Sequence, residues 1–168
     1  DWSSDVCSSD LDWQFHIVDS PDVNAFAVPG GFIYMNRGLL ERATNMAQVA
    51  GVLGHEIGHV TQRHSIKQMQ KAQGTNLGLL GVCIFTSMCN TEAGTQLMGL
   101  GANVAMASFS RSDEDDADRV AVGYMMRAGI DPTGIPEMFR ILLDERQAKP
   151  EGLETWFRSH PLEESRIS

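Results

Sequence analysis

The sequence predicts an α+β fold, mainly helical, with a small β-sheet near its start. Three observations carry this reading. The stretch "WQFHIV" alternates loosely and is rich in β-formers, and two short apolar runs follow it around Pro29-Gly30-Gly31. A long helical stretch begins after Asn45, and helix signals recur over residues 112–128 and 132–147. The chain has 168 residues, 42% of them hydrophobic, which suits one domain with a real core.

Taken in order, Trp13–Val18 reads as the first strand. Ala25–Val28 and Phe32–Met35 read as two more, joined through the glycine turn. "RGLLERA" starts helical structure. Asn45 is a good N-cap with Gln48 as its capping-box partner, and one helix is expected from there to about Gln73, ended by Gly74. Gly51, Gly54 and Gly58 lie inside it, each at a cost of up to ~1 kcal/mol against Ala. Their successive spacings of three and four residues place them near one face, where another backbone is expected to approach closely. The apolar run Leu77–Cys89 is shorter than the ~20 residues that span a bilayer. It is expected to be a buried hairpin of short helices holding Cys83 and Cys89 as free thiols. The alternative is a flap that touches a membrane peripherally. A second helix should cover about Ser112–Ala128, closed by Gly129. A third should start with Asp131 as N-cap and Pro132 in the first turn, running to about Gln147. A loop with a short helical turn near the end completes the chain.

The first eleven residues stand apart. "DWSSDVCSSDL" is Ser/Asp-rich and aperiodic, and it back-translates into a sequencing-library adapter. Asp1–Leu11 is therefore expected to be a translated adapter scar, with residues 12–168 a catalytic domain whose native termini lie beyond this chain. Genomic DNA coding natively for these residues would overturn that expectation. The net charge is −9 and the basic residues are scattered, so nucleic acid is a poor candidate partner.

The chemistry is carried by "GHEIGH", which gives His55, Glu56 and His59 the HExxH spacing on a helix. Positions i and i+4 share a helix face, so both imidazoles can reach one metal ion. Glu56 sits beside the first ligand, where it can reach a water without ligating the ion. Imidazoles with a carboxylate suit tetrahedral zinc, and the apolar surroundings "VAGVLGHEIGHV" argue against a chance match. A third protein ligand is needed. His64 reads as an exposed or helix-packing residue on another side of the helix. The other candidates are the carboxylates of "SDEDDAD", residues 112–118.

Four motifs in order resolve the choice by resemblance: "NAFAVPGG", HExxH, "SRSDEDDAD" and "HPLEESR". Together they resemble peptidase family forty-eight, the HtpX-like and CAAX-prenyl-protease-like gluzincins, over almost the whole chain. The resemblance implies a zincin-like catalytic domain with an edge β-sheet, one zinc ion, and peptide-bond hydrolysis. It implies Glu114 as the third zinc ligand and Asp118, one helical turn on, as the acid that orients a zinc-bound histidine. Asp113, Asp115 and Asp116 are left as a solvated face. His160 is implied as a donor to the developing oxyanion, or as a zinc ligand in a resting state, with Arg166 in the same motif. Asn24 is implied near the edge strand, and Phe32, Ile33 and Tyr34 are expected to pair with substrate as an added strand. Glu56 is the expected general base. Relatives without transmembrane helices imply a bacterial periplasmic or outer-membrane-associated quality-control protease acting on unfolded or misfolded proteins. The competing expectation is a zinc-stabilised envelope chaperone that holds clients without cutting them. A structural zinc site is disfavoured, because such sites use four closed ligands, usually with Cys.

Overall fold

The computed structural model describes residues 11–73, 108–148, 152–161 and Arg166. It is α+β and mainly helical, as the sequence predicts. Three strands come first: β1 (Gln14–Val18), β2 (Ala25–Val28) and β3 (Phe32–Asn36). β2 and β3 form an antiparallel hairpin, with Ala25 opposite Met35 and Val28 opposite Phe32. Its turn places Gly30 at φ +106° and Gly31 at φ +93°, conformations that a side chain would strain. β1 pairs with β3 in parallel, so the sheet order is β1-β3-β2. Ala25, Ala27, Ile33 and Met35 point into the core, while His16, Tyr34 and Phe26 stack in a row on the other face.

This order corrects the expectation for Phe32, Ile33 and Tyr34. β3 is the central strand, and its backbone groups are taken by neighbours on both sides. Ile33 is fully buried, and Tyr34 is held between His16 and Phe26. These residues cannot accept a substrate as an added strand.

The helices follow: α1 (Arg37–Leu40), α2 (Met46–Thr61) and α3 (His64–Gln73), then α4 (Arg111–Arg127), α5 (Gly134–Ala148) and α6 (Glu154–Ser159). The Asn45 side chain accepts from the Gln48 N–H at 3.0 Å and caps α2. The Gln48 carboxamide oxygen reaches back to the Thr44 N–H at 2.8 Å, one residue earlier than a standard capping box. The expected single helix to Gln73 breaks in two: Gln62 ends α2, and Arg63 takes φ 57°, which turns the chain before α3 begins. The three glycines of α2 do form a contact face. A Cβ at Gly51 would lie 2.8 Å from Ile135 Cγ1, at Gly54 3.3 Å from Ala121 Cβ, and at Gly58 2.9 Å from the Ala117 carbonyl oxygen. α4 and α5 therefore pack on α2 at near backbone contact.

α4 is capped by Ser110 in a reciprocal capping box with Asp113, and Gly129 at φ 69° leads the chain away from its end. Asp113 is thus a capping residue and not part of a solvated face. Asp131 accepts from the Thr133 N–H at 3.0 Å and holds a turn, so α5 starts at Gly134, two residues later than expected. Val52, Met125, Met138, Phe139, Leu142 and Trp156 form the centre of the core between α2, α4, α5 and α6. Each such side chain contributes roughly 1.5–3 kcal/mol on burial. Leu77–Cys89, with both thiols, lies outside the described residues. Among the described residues no helix is long and apolar enough to cross a membrane.

Candidate metal centre

α2 and α4 cross where their small residues meet, and this brings His55 and His59 against Glu114. All three are buried, with Glu56 beside them. The Nε2 atoms of His55 and His59 are 3.0 Å apart. Glu114 Oε1 lies 3.3 Å from His59 Nε2, and its Oε2 lies 3.6 Å from His55 Nε2. α6 delivers His160 into the same place, its Nδ1 3.1 Å from Glu114 Oε1 and 3.3 Å from His55 Nε2. One ligand atom from each of these four residues falls within 4.8 Å of the others. Three imidazole nitrogens and a carboxylate oxygen converging in a buried space are a donor set that fits zinc.

The outer ring nitrogens are held in turn. His55 Nδ1–H donates to Asp118 Oδ1 at 2.7 Å. Arg166 clamps Asp118 through Nε (2.7 Å) and Nη2 (3.0 Å), and its Nη1 donates to Glu114 Oε2 and the Pro161 carbonyl. Its guanidinium stacks over Phe139 at 4.8 Å. Phe109 lies flat on His59, centroids 3.9 Å apart, and Trp156 packs on His160 at 4.5 Å.

These contacts set the charges. Burial raises the Glu56 pKa above the usual carboxylate range, beyond what nearby histidines and the backbone hydrogen bond with Ala27 recover. Burial would raise Glu114 as well. Instead the facing His160 and His55, with hydrogen bonds from His160 and His59, hold it well below that range. Asp118 is also held low, because hydrogen bonds from His55 and Arg166 outweigh its burial. Burial keeps His59 neutral, the form that ligates a metal. It also opposes charge on His160, but the Glu114 and Glu56 carboxylates outweigh it and raise that pKa.

The structure brings His55, Glu56, His59, Glu114, Asp118, His160 and Arg166 into one site. It does not bring Phe32, Ile33 and Tyr34 there. Asn24 stands buried at the head of β2, with its Oδ1 unpartnered among the described residues. Asn36 N–H donates to the Asn24 carbonyl, so by antiparallel alternation Ala25 and Ala27 turn their backbone groups to the other edge of β2, which no described strand covers. Glu56 meets that edge at Ala27. Sequence reasoning misplaced one feature and left another open. The edge beside the site is β2, not β3; of the two readings of His64, exposed or helix-packing, its burial selects the second. The apolar alternation of "NAFAV" would have signalled the first.

Comparison with known proteins agrees with this geometry. The family described as Peptidase family M48 matches residues 3–168. The chain is 36% identical over 166 residues to the Beta-barrel assembly-enhancing protease of Escherichia coli, covering 93% of this chain and 33% of that protein. It is 30% identical over 152 residues to Metalloprotease LoiP of Escherichia coli, 90% of this chain and 59% of the relative. It is 31% identical over 130 residues to Metalloendopeptidase OMA1, mitochondrial, of Bos taurus, 73% of this chain and 25% of the relative. The chain thus spans 33% of the length of the β-barrel-assembly relatives it matches. Zinc is the metal that peptidases of this family use, and the His–His–Glu–His group is able to hold it.

Proposed function

Because this chain belongs to Peptidase family M48, we propose that it is the catalytic domain of a zinc-dependent metalloendopeptidase in bacterial envelope protein quality control. One observation carries the reading: His55, His59 and Glu114 converge in a buried cluster directly beside a Glu56 oxygen that has no hydrogen-bond partner among the described residues. His55, His59 and Glu114 would hold the ion. When bound, zinc supplies the Lewis acid that makes water a competent nucleophile near neutral pH.

The chain's own residues do the rest. Glu56 takes the proton of the attacking water and passes it to the leaving amine. Its burial, which raises its proton affinity, suits that exchange. His160 Nε2, 3.5 Å from Glu56 Oε1, stands where it can donate to the oxygen that becomes negative. In the arrangement described it also leans on Glu114, so we read this as a resting state that substrate displaces. Asp118, clamped by Arg166, keeps the His55 ring turned with Nε2 inward. The edge of β2 at Ala25 and Ala27, which no described strand covers, is the edge at which an extended peptide can pair, with Asn24 at its head as the residue beside that peptide's backbone. Backbone pairing gives affinity with little sequence preference, which suits unfolded or misfolded proteins as substrates. Relatives named for enhancing β-barrel assembly support a periplasmic or outer-membrane-associated location.

The test is cleavage of unfolded casein by the purified protein, with and without a zinc chelator. Cleavage that stops with chelator and returns with zinc is the expected result. Suppressed client aggregation without any cleavage would establish the holding chaperone instead.

A further inference from the structure

We propose that His64 is a positioning residue for the metal centre: its Nδ1 accepts a hydrogen bond from His59 Nδ1–H and fixes the ring that offers Nε2 to the ion. The proposal rests on the reading of His59 as a metal ligand. His59 Nε2 faces His55 Nε2 at 3.0 Å and Glu114 Oε1 at 3.3 Å, so ligation through Nε2 leaves the ring proton on Nδ1. That Nδ1 lies 3.0 Å from His64 Nδ1. Two ring nitrogens at this distance share one proton. With His59 donating, His64 must accept, and its own proton sits on Nε2.

The surroundings agree with that assignment. His64 is fully buried, and its Nε2 has no hydrogen-bond partner among the described residues. The nearest acid, Asp113 Oδ1, is 3.7 Å away, beyond direct bonding distance but on the side where a proton is attractive. His64 cannot be a ligand itself, because its Nδ1 faces the outer nitrogen of His59 and not the cluster. Arg63 at φ 57° ends α2 and turns the chain so that His64, five residues after His59, returns to it. Such a conformation is unfavourable for a residue with a side chain and persists only where its surroundings demand it.

The two metal histidines are thus braced by different chemistry. Asp118 braces His55 with a charge that Arg166 balances. A further carboxylate behind His59 would crowd a centre that already holds Glu56, Glu114 and Asp118. A neutral imidazole orients the ring without adding charge.

The test is zinc affinity, measured by competition with a chromophoric chelator on the full chain. His64→Leu should bind zinc about 10–100-fold more weakly than wild type, the usual effect of losing such a partner. His64→Asn should keep most of the affinity, because its amide oxygen can accept the same proton. His64→Leu binding as tightly as wild type would overturn the proposal, and so would His64→Asn as weak as His64→Leu. If His64→Leu does not fold, nitrogen NMR of the zinc-loaded wild type decides. His64 in the Nε2–H tautomer is expected, and the Nδ1–H tautomer overturns the proposal. His59→Ala with undiminished zinc affinity would overturn the ligand reading itself, and the proposal with it.

Discussion

Glu56 and Glu114 are both buried carboxylates of one site, and their neighbours drive them apart. Burial dominates at Glu56 and favours its protonated form. At Glu114 the facing His160 and His55 overcome burial and fix the anion. A ligand must stay anionic, whereas a general base must be able to hold a proton in passing. Glu56→Gln keeps the shape and removes the proposed base, so it should retain zinc in full while kcat falls by about 10²–10⁴. Zinc content by metal analysis, beside casein cleavage, separates the two effects; substantial remaining cleavage would contradict the assignment. His160→Ala removes the proposed oxyanion donor while leaving the three proposed ligands. It should lower kcat by about 10²–10³ with zinc still bound. A variant that cleaves faster would show instead that His160 acts mainly as a block.

Between α2 and α4 the spacing is set by glycine. A Cβ at Gly58 would sit 2.9 Å from the Ala117 carbonyl oxygen and 3.0 Å from its Cα, both backbone atoms that cannot swing away. Gly58→Ala should therefore destabilise by about 1–3 kcal/mol in denaturant titration and loosen zinc, because Glu114 moves with α4. Gly123 is a control on the same helix pair: among the described residues its Cβ would meet only Arg127 Nη1, at 3.6 Å. Gly123→Ala should be neutral or stabilising by up to about 1 kcal/mol, through helix propensity alone. This packing face was legible because glycines at i, i+3 and i+7 have no local reason to occur in a helix. The caps at Asn45 and Gly129 were legible for the complementary reason, since they satisfy local needs. The break at Arg63 was not. "TQRHS" holds neither Gly nor Pro, and the turn is imposed by where His64 packs. The sheet order was hidden likewise, because the parallel pairing of β1 with β3 crosses over β2 and leaves no local mark. Glu114 and Asp118 entered by resemblance; their own neighbourhood reads as a charge run, five acids in six positions.

Across the whole molecule, the metal centre joins segments that lie far apart in the chain. His55 and His59 come from α2, Glu114 from α4, and His160 from the residue after α6, with Arg166 tying the last segment to Asp118 and Glu114. An ion bound there cross-links these elements in the folded state only, and so must stabilise the fold by mass action. At free zinc about 100 times Kd the gain is about 2.7 kcal/mol. For a domain of this size each kcal/mol moves Tm by about 2–4 °C, so chelation should lower Tm by about 5–10 °C. Glu56→Gln should show the same loss as wild type, because Glu56 is proposed as the base and not as a ligand, and His59→Ala should show little. The effect should also be uneven. Hydrogen exchange after chelation should rise most at Glu154–His160, which reaches the centre from a six-residue helix. It should rise least at β3, whose backbone is paired on both sides whether or not the ion is present. A Tm indifferent to chelator, in a protein that wild-type metal analysis shows to be loaded, would mean that His55, His59 and Glu114 do not hold the ion together.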